Sequence, residues 1–176
     1  YVTQQITNIK NMDTQFKDVY LILSSRYTAY INQFLLMNKN KVIFDNDKIY
    51  EVIFNSLNEL MYELKNIKII LISPLPEFNH YPYSCFLNKK MCKNDLIYDL
   101  KRVERLYKVL AKISSIHNNV YLFNPYNKIC NLDKSFCSMY DSQKDILFFK
   151  DTDHLTVEGS SFLTKYFKSF YNKNFN

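Results

Sequence analysis

The sequence predicts an α/β fold, a sheet of parallel strands with helices on both faces. Two observations carry that reading. Short continuous apolar runs recur along the chain, each closed by polar residues or proline: Asp18-Val-Tyr-Leu-Ile-Leu-Ser24, Lys68-Ile-Ile-Leu-Ile-Ser73 and Asn119-Val-Tyr-Leu-Phe123. Runs of this length suit strands buried on both faces and are too short for helices. Between them lie stretches of a dozen or more residues with helical apolar spacing. Alternation of this kind is the βαβ pattern, right-handed at each crossover. A chain of 176 residues fits a single domain over 1–176.

The remaining elements follow in order. Residues 3–16 are polar and weakly periodic and read as a helix cut at its start. Ser25 to about Met37 reads as a second helix. From Asp47 to about Asn66, Ile49, Val52, Ile53, Leu57, Leu60, Met61 and Leu64 recur at helical spacing, which makes a core-facing stripe. Asp45, Asn46 and Asp47 are its cap candidates. Pro74-Leu-Pro76 stops the second strand. Glu77 to Asn94 lacks any period and reads as a long loop, a type that is often functional. Leu96 to Ile116 is a helix, and Asn124-Pro125 ends the third strand. A cysteine-bearing loop precedes a further apolar strand, Ile146-Leu-Phe-Phe149, and a last helix runs from near Thr156 to about Tyr171. In parallel sheets, reactive groups sit beyond the carboxyl ends of strands. Ser24-Ser25-Arg26, Ser73-Pro74 and Asn124-Pro125 qualify, and the 151–154 loop is expected to fold over the same rim.

Composition excludes several chemistries. The chain has one glycine, Gly159, where average usage would give about a dozen. No dinucleotide-binding G-x-G-x-x-G, phosphate loop or G-x-S-x-G elbow can be written from one glycine. The abundance of Tyr and Phe goes with that of Lys, Asn and Ile, reflects an AT-rich base composition, and carries no functional signal. Net charge is 23 − 17 = +6, but the basic residues are scattered, as in Lys65/Lys68, Lys89/Lys90 and Lys101/Arg102. They read as a solvated surface, and no nucleic-acid partner is expected. No apolar run reaches the ~18 residues of a membrane span. The start, Tyr1-Val-Thr-Gln-Gln, has neither an initiating Met nor a signal pattern, so the chain reads as a piece of something longer.

Four cysteines fall as two pairs, Cys85/Cys92 and Cys130/Cys137. Neither is C-x-x-C and no histidine lies at zinc-finger spacing, so neither a metal nor a cofactor is expected. Each pair flanks turn-like sequence and could close a short loop as a disulfide, which would imply an oxidising compartment. Four reduced thiols are the alternative.

Chemistry concentrates in Phe148-Phe-Lys-Asp151-Thr-Asp153-His154-Leu-Thr156-Val-Glu158-Gly159. At this spacing a turn can bring the Asp151 carboxylate to one imidazole nitrogen of His154 and leave the other facing a cleft. The carboxylate fixes the tautomer, and the free nitrogen acts as general base. Thr156 is the N-cap candidate of the following helix, with Glu158 complementing its dipole. Asp153 is an alternative carboxylate, although adjacent side chains usually diverge. A tetrapeptide of this kind is also common as a plain exposed turn. The other histidines have simpler readings: His80 as a solvated loop residue, His117 as a cation at a helix end.

This arrangement resembles the last block of the SGNH hydrolases, in which D-x-x-H supplies two members of a Ser-His-Asp triad. Asp18-Val-Tyr-Leu-Ile-Leu-Ser-Ser-Arg26-Tyr27 is similar to the DVVILxxRW strand of one subgroup, and Pro74-Leu-Pro76-Glu77 to its PxPE strand end. Cys85 follows as that subgroup's cysteine does, and Cys130 and Cys137 precede the YxDxxHLS-like segment. That subgroup is the extracytoplasmic domain fused behind the membrane acyltransferase domain of polysaccharide O-acyltransferases. The resemblance implies a three-layer flavodoxin-like/SGNH sheet and a serine-ester transfer of an acyl group, with His154 and Asp151 catalytic. Arg26 and Ser25 would touch substrate. The implied partners are a carbohydrate acceptor, an acyl donor and an upstream membrane acyltransferase domain in the same polypeptide. The implied location is extracytoplasmic, periplasmic or at the cell surface, tethered through that domain. The family's Gly-Asp-Ser-His block is not in this sequence, so its first strand and nucleophile are expected to be missing, with strand 18–23 left as a sheet edge. The resemblance therefore supports an acyltransferase or carbohydrate esterase when the serine block is present. The alternative is an inactive glycan-binding or interaction module.

Overall fold

The three apolar runs form a three-stranded parallel sheet, in the order β1 (Tyr20–Ser24), β2 (Lys68–Ile72), β3 (Val120–Phe123). The computed structural model describes residues 6–11, 20–24, 46–79, 81–83, 100–131, 136–141 and 143–175. The other elements are the helices α1 (6–11), α2 (Asn46–Glu63), α3 (Leu100–Ile116), α4 (Tyr126–Ile129) and α5 (Val157–Phe175). Four two-residue strands complete the set: β4 (Cys130–Asn131), β5 (Phe136–Cys137), β6 (Tyr140–Asp141) and β7 (Ile146–Leu147). The helix expected over Ser25–Met37, and Arg26, His80, Cys85 and Cys92, lie outside the described residues.

The chain divides into two compact units, the first comprising Tyr1–Ser73 and Glu104–Leu122, the second Pro74–Val103 and Phe123–Asn176. In the first, β1 and β2 pair from Tyr20↔Lys68 to Ser24↔Ile72. β2 is central, and Ile69, Ile70 and Leu71 are buried in succession because both faces of the strand are covered. β1 ends the sheet order among the described residues, with Ile22 51% exposed. Met61 and Leu64 of the α2 segment meet Leu106, Leu110 and Ile113 of α3 over the sheet residues Ile69, Leu71 and Val120. Each such side chain contributes about 1.5–3 kcal/mol on burial. The expected stripe faces this core except at Val52, which is turned out.

Two polar groups lock the helix ends. Asn119 donates through Nδ2 to the carbonyls of Leu64 and Ile67, at 3.0 and 2.7 Å, tying the turn before β2 to the start of β3. His117 differs from its sequence reading. It follows α3, but its ring is buried, with Nε2 2.9 Å from Asn58 Oδ1 and the Tyr62 ring edge-on at 4.9 Å. A buried imidazole donating to an amide oxygen clamps α2 to α3, a role that needs no charge at the helix end.

The second unit is built on aromatic packing. Phe78, Tyr126, Met139, Phe148, Phe149, Phe162 and Leu163 share one buried cluster. Phe123 packs edge-on against Phe167 at 5.2 Å. Ile146–Phe149 was expected as a strand following the α/β series. Instead β7 pairs antiparallel with β6, Tyr140↔Leu147 and Asp141↔Ile146, in a short hairpin. Asp145 takes φ 53° in its turn, where Asp141 accepts the backbone N–H groups of Gln143 and Lys144. The apolar run is buried by α5 and Phe78, which is why its hydrophobicity mimics a central strand.

Cys130 and Cys137 form a disulfide across β4 and β5, with Cα atoms 4.1 Å apart. The Tyr126 hydroxyl donates to Cys137 Sγ at 3.5 Å, and burial pushes the Tyr126 phenol well above its ordinary pKa. Closing a loop with a sequence separation of 7 restricts the unfolded chain by roughly 2–3 kcal/mol. Peptide mapping without reductant should recover the 130–137 pair covalently linked. Cys137→Ser should lower the unfolding free energy by about that amount in urea titrations.

Candidate active site

The segment from Phe148 to Gly159 leaves the aromatic core and returns to it, and its base is pinned by backbone hydrogen bonds. The Thr156 N–H donates to the Phe148 carbonyl at 2.9 Å, and Lys150 N–H to the His154 carbonyl at 2.9 Å. Phe149 and Leu155 form an antiparallel bridge. Thr156 caps α5 as expected: its Oγ1 accepts the Gly159 N–H at 2.8 Å and donates to the Leu147 carbonyl. Glu158 lies in the first turn. The one glycine has a steric cause, since a Cβ at Gly159 would lie 2.2 Å from the Phe148 carbonyl oxygen. Only a residue without a side chain lets the helix seat so close to that strand.

At the tip, Asp151 Oδ1 accepts the backbone N–H groups of Asp153 and His154, at 3.1 and 2.7 Å. This is an Asx-type turn of the kind Asp141 makes in the neighbouring hairpin. The same carboxylate meets His154 Nδ1 at 3.0 Å through Oδ1 and 2.9 Å through Oδ2. An Asp-facing Nδ1 carries the proton, so Nε2 is the basic nitrogen. Among the described residues no group engages Nε2, and the His154 side chain is 65% exposed against 29% for Asp151. Asp153 is the lesser partner: its Oδ1 lies 3.4 Å from Nδ1 and accepts the Thr152 hydroxyl at 3.1 Å. Desolvation opposes ionisation of Asp151, but the amides of Asp153 and His154 and then the imidazole outweigh it. They hold the carboxyl below its ordinary value.

One ligand atom each from Asp151, Asp153 and His154 lie within 4.8 Å of one another. A cation held there through Nδ1 would need that nitrogen as a lone-pair donor and would displace its bond to Asp151. A second contact escaped sequence reading. The Phe78 N–H donates to the Thr152 carbonyl at 2.9 Å, and the two rings Phe78 and Phe149 lie 5.2 Å apart edge to face. This stitches the Pro74–Phe78 segment to the histidine turn from 74 residues away. The only sequence signal was the proline-rich strand end resembling the PxPE motif. Ser24 is exposed at the end of β1, and Ser25 and Arg26 lie outside the described residues.

Two measurements bear on this construction. Gly159→Ala forces the helix off Phe148 and should lower stability by roughly 1–3 kcal/mol, about 2–12 °C in Tm. Asp151 should shape the acid limb. Its carboxyl is held below the ordinary 3.8, so its contribution is full above about pH 5 and is lost as pH falls through the lowered value. Urea unfolding of wild type and Asp151→Asn should therefore differ near neutrality and converge as pH falls through the lowered value.

The chain is similar to known proteins in sequence and in fold. The family described as "SGNH domain (fused to AT3 domains)" matches residues 2–169. Among solved structures, the lipopolysaccharide acetyltransferase periplasmic domain of Salmonella ser. Paratyphi A superposes with a TM-score of 0.58 at 19% identity, covering 99% of this chain. The chain spans 62% of that neighbour's length. No curated protein matches the chain. With the family matched from near the first residue to within α5, and an α/β fold shared with that domain, this chain belongs to the SGNH domain family found fused to AT3 domains.

Proposed function

We propose that this chain supplies the Asp-His part of a serine-ester O-acyltransferase or acylesterase that acts on cell-surface polysaccharide outside the cytoplasm. The observation that carries the reading is the Asp151–His154 pair, with Nδ1 tethered and Nε2 open. The nucleophile comes from a serine outside these 176 residues. β1, at the end of the sheet order with an exposed Ile22, offers the kind of apolar edge that a further strand covers. The AT3 domains to which the family is fused and the periplasmic acetyltransferase neighbour support a membrane-tethered acyltransferase as the whole protein.

The steps balance on one proton carrier. His154 Nε2 takes the serine hydroxyl proton as Oγ attacks the acyl carbonyl, and returns it to the departing donor group as the acyl-serine forms. A sugar hydroxyl then attacks that ester, and its proton passes to Nε2 and back to the freed serine. Asp151 stays ionised throughout and stabilises the imidazolium. Transfer to water in place of the sugar gives the esterase. The second reading is a glycan-binding module of the same fold that holds the polysaccharide without turnover.

Fluorophosphonate labelling of the full-length protein separates the two. Labelling of one serine, slowed by a factor of 10³ or more in His154→Ala, on the order of a lost triad base, is the expected result. Labelling indifferent to His154 removes the triad, and no labelling of wild type favours the binding module.

A further inference from the structure

His154 Nδ1 faces two carboxylates, and they are placed differently. Asp151 lies at hydrogen-bond distance, 3.0 Å through Oδ1 and 2.9 Å through Oδ2. Its Oδ1 also accepts two backbone N–H groups, which commits it to the turn. Asp153 Oδ1 lies 3.4 Å from the same nitrogen, within ion-pair range but too far for a good N–H···O bond. Adjacent side chains usually diverge, yet this one is turned in beside the ring, 14% exposed against 65% for His154. Bonds around it keep it there. The Thr152 hydroxyl donates to Oδ1 at 3.1 Å, the Asp153 N–H donates to Asp151, and the Thr152 carbonyl is anchored by the Phe78 N–H.

The distances separate two tasks. A hydrogen bond to Nδ1 orients the ring whatever its charge, and Asp151 supplies it. A carboxylate at 3.4 Å attracts a neutral ring weakly and an imidazolium strongly, because the attraction scales with the charge of the partner. We propose that Asp153 is a positioning residue of the transfer reaction, a second carboxylate that steadies His154 when Nε2 takes a proton and that accepts the Nδ1 proton when Asp151 cannot. The inference rests on the proposed role of His154 as base. Support that arrives only with the charge lowers the barrier and leaves substrate binding alone.

The test uses the full-length protein with p-nitrophenyl acetate as acyl donor and water as acceptor. Asp153→Asn keeps the shape of the side chain and should lower kcat about fivefold with KM unchanged. Asp151→Asn should keep activity well above the roughly 10⁴-fold loss that a wrong imidazole tautomer brings. Adding Asp153→Asn should remove that remainder, a loss larger than the product of the two single effects. Diethyl pyrocarbonate reads the same support without the serine, because attack by Nε2 on this reagent puts positive charge on the ring. At about pH 8, above the usual imidazole range, mass spectrometry should show carbethoxylation of His154 slowed severalfold in Asp153→Asn, with the other histidines of the sample as reference. If fluorophosphonate fails to label wild type, the serine mechanism falls and this arm alone decides the inference. Unchanged carbethoxylation in a folded Asp153→Asn protein overturns it. So does a rise in KM alone, which would put Asp153 on the substrate, and so do strictly additive effects of the two substitutions.

Discussion

The close approach of Gly159 to the Phe148 carbonyl is the constraint on which the site depends. It seats α5 against the segment that begins the histidine turn, so the two arms of the excursion leave and rejoin the core side by side. With the base closed by Thr156 and the Phe149–Leu155 bridge, little conformational freedom remains at the tip. What remains is taken up by Asp151 Oδ1, which satisfies two backbone N–H groups that the turn would otherwise leave to solvent. The atom that shapes the turn is the atom that orients the imidazole. Building the turn and building the pair are one event, so the pair is organised without help from a nucleophile or substrate.

That coupling explains the ionisation of Asp151. A carboxylate bonded only to imidazole would follow the charge of its partner. Here two main-chain amides favour the ionised form whether His154 is neutral or protonated. The acceptor therefore keeps its charge when the imidazole gains a proton, which is the moment at which a base needs support. Exposure of the imidazole complements this, since it leaves Nε2 facing solvent.

Much of this was legible in the sequence, and the divisions have physical reasons. β1, β2 and β3 are read from consecutive apolar residues because strands covered on both faces permit nothing else. The dyad is read from a spacing of three because an Asx turn needs only local chain, and Thr156 and Glu158 announce the helix for the same reason. The failures are long-range. Ile146–Phe149 has the apolarity of a central strand but is buried by α5 and Phe78, and one-dimensional pattern cannot say what covers a run. His117 looked like a helix-end cation, whereas its partner Asn58 is 59 residues away and leaves no periodic trace. The Phe78–Thr152 bond is of the same kind.

These long-range contacts divide labour between the parts of the second unit. The histidine turn is fixed by local bonds around Asp151 and Thr156, with the Phe78 N–H on the Thr152 carbonyl joining it from a distant segment. The Pro74–Tyr83 segment is fixed by burial of its prolines and Phe78, leaving the tyrosine side chains as its exposed aromatic surface.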